Sequence, residues 1–264
     1  MTIDDLRTIG RRVLDMVPRY RFAPDSRVAL QVGAGGDKTF PMDKKAEEII
    51  LSSLEALGEP LSIISEEFGT HEIRGGGITV IVDPIDGSKN AISGLPVFCT
   101  SLALSSGERI RDIFMSYVLN LISGDEFWAE KGKGAFLNGR RIRTQQEHDL
   151  SIILYEAQSP GRDIPKIVPA LSLFHRARCL GATALDLAYL SLGSASAFIA
   201  PAPSRSFDFA GGWLLAREAG GIVTDLSGKS IEDITLGLGY SAPIMASGNQ
   251  SIHEILIRTF EEAR

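Results

Sequence analysis

The feature that most constrains this chain is a continuous apolar run, Ile78–Val82, that stops at Asp83-Pro84-Ile85-Asp86-Gly87-Ser88. Such a run reads as a buried strand. The same strand delivers two carboxylates to its own end. Asp86-Gly87-Ser88-Lys89-Asn90 then reads as a tight turn opening toward a short helix. Backbone N–H groups at such a place form an anion cradle, and Gly87 lets the backbone approach a ligand closely. Ser88 offers a hydroxyl within reach of whatever Asp83 and Asp86 hold. No G-x-x-x-x-G-K-[ST] segment occurs, so this is not a Walker A loop.

The pattern around this strand changes along the chain. Ile3, Leu6, Ile9, Val13, Leu14 and Val17 recur at helical spacing, opened by a Thr2/Asp5 capping box. After the glycine-rich stretch Gly33–Lys38, a second helix is expected from Asp43 to about Leu57, closed by Gly58. Strands are expected at Leu61–Ser65, Ile78–Val82, 97–105, 110–118 and 125–129, while Lys131–Gly139 reads as turns. The first half is thus two helices followed by a largely antiparallel sheet. The second half alternates. Strands are expected at 151–156, 176–180, 195–200, 221–225 and 243–247, with helices near 164–174, at 182–192, at 208–219 and from about Ser251. Alternation of this kind indicates an α/β layer. The polar cluster Thr144–Asp149 divides an α+β half, 1–145, from an α/β half, 146–264, with no long linker between them. A shared interface and a site between the halves are expected.

Other acids stand at comparable places. Leu61–Ser65 runs into Glu66-Glu67, Arg205-Ser206-Phe207 leads to Asp208, and Asp43 opens a helix. Taken singly, Asp43 and Asp208 read as N-caps, Glu66-Glu67 as a solvated turn and Asp83-Pro84 as a turn initiator. Taken together, they stand where open sheets place ligand-binding groups. Two carboxylates ~4 Å apart repel by about 4 kcal/mol at an effective dielectric of ~20, so a converging set requires a counter-ion. Hard oxygen donors select Mg²⁺, Mn²⁺ or Ca²⁺ over zinc, and no His or Cys cluster competes.

Composition narrows the function further. The 264 residues are 44% hydrophobic and 23% charged, ordinary for a globular chain, with a net charge of −6. That charge argues against a nucleic-acid partner. It also disfavours anionic substrates unless a bound divalent cation reverses the local field. Cys99 and Cys179 lie in apolar strand-like runs and read as plain buried thiols, a disulfide between them being the alternative. No signal pattern and no apolar run of ~18 residues is present, so a cytoplasmic protein without a membrane partner is expected.

The segment Asp83-Pro-Ile-Asp86-Gly87-Ser88-Lys-Asn90 resembles the metal-binding signature of the inositol monophosphatase family, within the lithium-sensitive, magnesium-dependent phosphatase superfamily that includes fructose-1,6-bisphosphatase. Asp43, Ser65-Glu66-Glu67, Lys131–Gly139 and Phe207-Asp208-Phe-Ala-Gly211-Gly212-Trp with Glu218-Ala-Gly-Gly221 match further motifs of that family in order. The resemblance implies an αβαβα layered sandwich, a homodimer, and Mg²⁺-dependent hydrolysis of a phosphate monoester on a small sugar or cyclitol. It implies two or three Mg²⁺ ions, with Mn²⁺ as a substitute and Li⁺ and Ca²⁺ as inhibitors. By similarity, Glu66, Asp83 and the Ile85 carbonyl hold a first metal, and Asp83, Asp86 and Asp208 a second. Asp43 and Ser88, with Glu66, would activate water, and the Gly87 and Ser88 backbone would hold phosphate. Gly181-Ala182-Thr183 and Ser159 would line the substrate side.

The animal inositol enzymes carry a Glu seven positions before the C-terminal Asp, where this chain has Pro201. Instead Arg205 lies three residues before Asp208, read either as a solvated loop arginine or as a cation for a second phosphate or ring oxygens. This departure resembles the archaeal and bacterial branch that hydrolyses both inositol monophosphate and fructose 1,6-bisphosphate. The alternatives are a 3′-phosphoadenosine 5′-phosphate or histidinol-phosphate phosphatase of the same superfamily, and a non-catalytic regulatory relative.

Overall fold

The computed structural model describes residues 1–263. The chain opens with helix α1 (Ile3–Tyr20), a short hairpin of β1 (Gln31–Val32) and β2 (Lys38–Thr39), and helix α2 (Pro41–Ala56). Strands β3 (Leu61–Ser65), β4 (Gly69–Ile73) and β5 (Ile78–Asp86) follow, then the short helix α3 (Ser88–Ser93). Strands β6 (Cys99–Ser105), β7 (Ile113–Asn120), β8 (Glu126–Glu130), β9 (Gly134–Leu137) and β10 (Arg140–Ile142) complete an eight-stranded sheet in the order β10-β9-β8-β7-β6-β5-β3-β4. The rest of the chain supplies β11 (Ile152–Tyr155), α4 (Pro160–Leu171), β12 (Arg176–Arg178), α5 (Thr183–Ser191), β13 (Ala197–Arg205), α6 (Ser206–Glu218), β14 (Ile222–Thr224), β15 (Tyr240–Ser247) and α7 (Gln250–Glu262). Its five strands form a second sheet, β12-β11-β13-β15-β14.

The alternation of side chains along each strand builds the layers. Val80 and Val82 of β5 face α1 and α2, packing with Leu6, Ile9, Val13, Ile50 and Leu54. Ile81, between them, faces the other way, toward Leu187 of α5 and Phe209 and Trp213 of α6. Phe198 of β13 meets the same two helices from the second sheet. Its neighbours Ala197 and Ile199 face outward to Ile167 of α4 and Leu256 of α7. The order is therefore helices, sheet, helices, sheet, helices, as expected. The apolar character of β5 from Val80 to Val82 is explained by cover on both faces.

Several elements differ from their expected form. β5 continues past Val82 to Asp86, with a register shift against β6 between Asp83 and Asp86. Pro84 lies in that irregular stretch, where a missing ladder N–H is tolerated. Both acids thus belong to the strand rather than to a turn beyond it. Lys131–Gly139 holds strand β9 between its turns, and β4 is an edge strand whose exposed Thr70, His71 and Glu72 hide any alternation. α4 starts at Pro160, four residues earlier than its periodicity indicates, because proline suits the first helical turn. Cys99 is buried, but Cys179 lies beyond the end of edge strand β12 and is exposed, so the buried-thiol expectation fails for it; both cysteines are free. Among the described residues no helix is long and apolar enough to cross a membrane.

The central helices approach each other closely at Gly212. A Cβ there would lie 2.6 Å from the Leu187 Cβ and 3.2 Å from the Ala184 carbonyl oxygen. Gly212→Ala is therefore expected to destabilise the protein by ~1–3 kcal/mol in urea unfolding. Gly161→Ala in α4, where nothing lies within 4 Å of the added carbon, is expected to be neutral or stabilising by up to ~1 kcal/mol.

Candidate active site

The acids come together because of strand register and helix starts. β3 runs parallel to β5 with Ser65 opposite Val82, so Glu66 and Asp83 stand side by side. The Glu66 N–H donates to the Val82 carbonyl at 3.2 Å and fixes that alignment. Four helices begin at the same place, and their positive ends favour negative charge there. Asp43 is the third residue of α2 and Asp208 the third of α6. Each accepts the backbone N–H of the residue before its helix, Phe40 at 2.7 Å and Arg205 at 2.8 Å. The cap-like reading of these two acids is thus half right. One oxygen holds the helix start and the other faces the site.

Asp86 ties the two halves together. Its Oδ1 accepts the Thr183 N–H at 3.1 Å and its Oδ2 the Ala184 N–H at 2.7 Å, so a strand of the first sheet caps α5. Asn90 adds a second tie, donating from Nδ2 to the carbonyls of Val97 at 2.8 Å and Leu180 at 2.6 Å. Between these ties sits Gly87 with φ +90°, where a Cβ would press on the Val97 and Gly181 carbonyl oxygens at 3.1 and 3.2 Å. Only glycine fits both the left-handed backbone and the close approach. Ser88 opens α3, its Oγ 2.8 Å from Asp43 Oδ1 and 2.8 Å from the Ile85 carbonyl.

These groups line one cavity of about 850 Å³. Asp43 is buried beneath it, reached through Ser88. Glu66, Asp83, Ile85, Asp86, Gly87, Ser88 and Asp208 line it directly, as do Ser159, Gly181 and Thr183. Ala182 is buried against Gly87 rather than lining the space. Arg205 also lines the cavity, but it is not a solvated loop residue. Its side chain is 6% exposed and ion-pairs with Asp37, Glu66 and Asp208. Pro201 is buried within β13. Sequence reasoning missed Lys38, Lys89 and Glu156, which line the same cavity. Lys89 stood in plain view inside the Asp83–Asn90 motif. Glu156, at the end of β11, carried no signal beyond following an apolar run.

Burial dominates the electrostatics. It lifts the Asp43 carboxyl to about 6, against the Phe40 N–H and the Ser88 hydroxyl. It lifts Asp86 to about 7, aided by Asp208 and opposed by the Ala184 N–H. Asp83 and Glu66 are pushed well above the carboxylate range, first by burial and then by neighbouring acids, Glu66 for Asp83 and Asp208 for Glu66. Glu67 rises to about 7 by burial, although Thr39 donates to it.

The donor set suits a hard divalent cation. All its atoms are oxygens, and Asp83 Oδ1 is buried without a hydrogen-bond partner. Yet among the described residues no three acids close into a ready-made cage. The acids share a cavity, and the Arg205 guanidinium sits between Glu66 and Asp208.

The raised carboxyls fix a pH dependence for the metal-free protein. Unfolded carboxyls titrate near ~4. The folded state therefore holds more protons between there and about 7, where Glu67 and Asp86 titrate, and about 6 for Asp43. The stability these groups contribute is complete below the unfolded value and is lost as pH rises through the folded one. His253, held by burial at about 4, acts oppositely but is a single group. The melting temperature in chelator is expected to fall from pH ~5 to pH ~8. A rise across that window would contradict the assignment.

Comparisons with known proteins identify the family. The Inositol monophosphatase family profile matches residues 20–264. A fructose-1,6-bisphosphatase/inositol-1-monophosphatase of Methanothermobacter thermautotrophicus is 34% identical over 248 residues, covering 90% of this chain and 88% of that protein. A fructose-1,6-bisphosphatase of Pyrococcus furiosus is 33% identical over 240 residues, covering 90% and 89%. The crystal structure of an inositol monophosphatase–fructose 1,6-bisphosphatase superimposes with a TM-score of 0.86 at 26% identity, covering 98% of this chain and 100% of that one. With the layered fold and the acid cavity already in place, the family match over nearly the whole chain leads to one conclusion: this protein belongs to the inositol monophosphatase family.

Proposed function

We propose that this phosphatase hydrolyses phosphate monoesters of small polyols, fructose 1,6-bisphosphate and inositol 1-phosphate, with Mg²⁺ held by Glu66, Asp83, the Ile85 carbonyl, Asp86 and Asp208. The observation that carries this reading is the convergence of acids from both halves of the chain, Glu66, Asp83 and Asp86 from the first and Asp208 from the second, on one cavity beside the Gly87-Ser88 turn. The bifunctional name of the archaeal relative supports the substrate pair. When bound, Mg²⁺ supplies charge neutralisation and polarisation of the phosphoryl oxygens.

The residues of the chain divide the remaining work. The Ser88 hydroxyl and the Asp43 carboxylate, 2.8 Å apart, form a relay that orients a water and accepts its proton, with Glu66 assisting. An Asp43 carboxyl lifted to about 6 is a stronger base than an ordinary carboxylate and still ionised at neutral pH. The backbone at Gly87 and Ser88 holds the phosphate. Gly181, Thr183 and Ser159 face the polyol. Because the Arg205 fork is engaged with carboxylates, the cations available to a second phosphate are the exposed Lys38 and Lys89 on the cavity wall. Water is the nucleophile, so no covalent phosphoenzyme forms. A cytoplasmic homodimer is part of the same proposal.

Release of inorganic phosphate from both substrates is expected to require Mg²⁺. Asp83→Asn is expected to lower kcat/KM by at least ~10²-fold with circular dichroism unchanged. Full turnover in excess chelator, or full activity of the variant, would sink the reading. A 3′-phosphoadenosine 5′-phosphate or histidinol-phosphate specificity would show as a higher kcat/KM for that ester in the same panel. Absence of turnover on every ester would leave the non-catalytic regulator.

A further inference from the structure

Arg205 lies inside the acid cluster rather than at its rim. It ends β13 and precedes α6, and its backbone N–H caps against Asp208 at 2.8 Å. Its Nη2 is 3.4 Å from Glu66 Oε1 and 3.2 Å from Asp208 Oδ1. Its Nη1 is 2.8 Å from Asp37 Oδ2 and donates to the Gly35 carbonyl at 2.8 Å. The guanidinium also stands over the Phe207 ring, 4.7 Å from its centroid. One planar group thus touches three segments far apart in sequence. One nitrogen faces two of the acids assigned to Mg²⁺, and the other faces the turn between β1 and β2.

The physical case rests on charge and shape together. A buried guanidinium is costly unless its surroundings are anionic and satisfy its donors. Here the guanidinium, charged at any ordinary pH, is surrounded by the Asp208, Glu66 and Asp37 carboxylates. The acids need it as much. Without a positive charge between them, Glu66 and Asp208 would repel across a cavity that also holds Asp83 and Asp86. The hairpin is bound to the site at two further points, Ala34 N–H to the Glu67 carbonyl at 3.0 Å and Gly35 N–H to the Glu66 carbonyl at 2.7 Å. Arg205 is the side-chain tie added to these backbone ones.

We propose that Arg205 is a built-in counter-ion for the metal-free acid cluster, competing with the divalent cation for Glu66 and Asp208, and that its second nitrogen tethers the 31–39 hairpin over the site. The proposal rests on the reading of those two acids as metal ligands. It makes Arg205 a positioning residue, and it assigns charge and fork geometry separate consequences. Charge sets how tightly the metal binds. The two-sided fork holds the hairpin.

Two variants separate them. R205Q removes charge and fork, whereas R205K keeps the charge and loses the fork. Mn²⁺ binding is measured by calorimetry on the full chain, and hydrogen exchange is followed in residues 31–39 with α7 as the internal reference. R205Q is expected to bind Mn²⁺ at least ~10-fold more tightly than the parent, to melt lower in chelator and to gain more from added Mn²⁺. R205K is expected to bind Mn²⁺ within ~3-fold of the parent, because its ammonium keeps the same charge. In both variants hairpin amides are expected to exchange at least ~10-fold faster without metal. R205Q that folds only with Mn²⁺ present supports the counter-ion role, and R205K then carries the test of the tether. Unchanged or weaker Mn²⁺ binding by R205Q overturns the counter-ion role. Hairpin exchange at the parent rate in R205K overturns the tether. A parent protein that binds no Mn²⁺ overturns the metal assignment and with it the competition, while hairpin exchange still decides the tether.

Discussion

The burial of several carboxylates around one cavity is the constraint on which this structure turns. Asp43, Asp83 and Asp86 are each less than a tenth exposed, and Glu66 and Asp208 complete the set around one cavity. Water normally stabilises such charges, and here the fold must do so instead. It does so with oriented dipoles. Asp43 and Asp208 bond to the starts of α2 and α6, and Asp86 accepts two N–H groups at the start of α5. Asp83 lacks such help on Oδ1, and burial pushes its carboxyl and that of Glu66 well above the ordinary range.

The same bonds organise the architecture. Asp86 lies on β5 of the first sheet, yet its partners open a helix sandwiched between the two sheets. A site residue therefore doubles as a fastener between the halves. Asn90 repeats the arrangement from α3 to the segment before α5. The parallel pairing of β3 and β5 within an otherwise antiparallel sheet has a functional sense as well, because only parallel neighbours bring Glu66 and Asp83 out at the same end. Cavity, cradle and layer contacts are one construction.

Much of this was legible in the sequence because local signals and chemistry coincided. The β5 run announced its burial, and the acids at its end announced a site. The change in periodicity between the halves gave an α+β half and an α/β half, and the full layer order came from the family resemblance. What could not be read depended on remote contacts. Arg205 reads either as a loop arginine or as a cation for the substrate, and nothing local says that Asp37 and Glu66 will surround it. Glu156 looks like any acid after a strand until the cavity wall is assembled. Cys179 stands between Arg178 and Leu180 just past β12, and because β12 is an edge strand it is left exposed. Strand β9 was hidden by glycines that define the turns around it, such as Gly134 with φ +100°.

Anomalous diffraction from crystals of this protein soaked in Mn²⁺ tests the central claim most directly. The account predicts peaks at the Asp83 carboxylate, shared on one side with Glu66 and on the other with Asp86 and Asp208, with the Arg205 guanidinium moved off Glu66. Crystals saturated with Mn²⁺ that show no peak among these acids, and Arg205 still paired with Glu66 and Asp208, would contradict it.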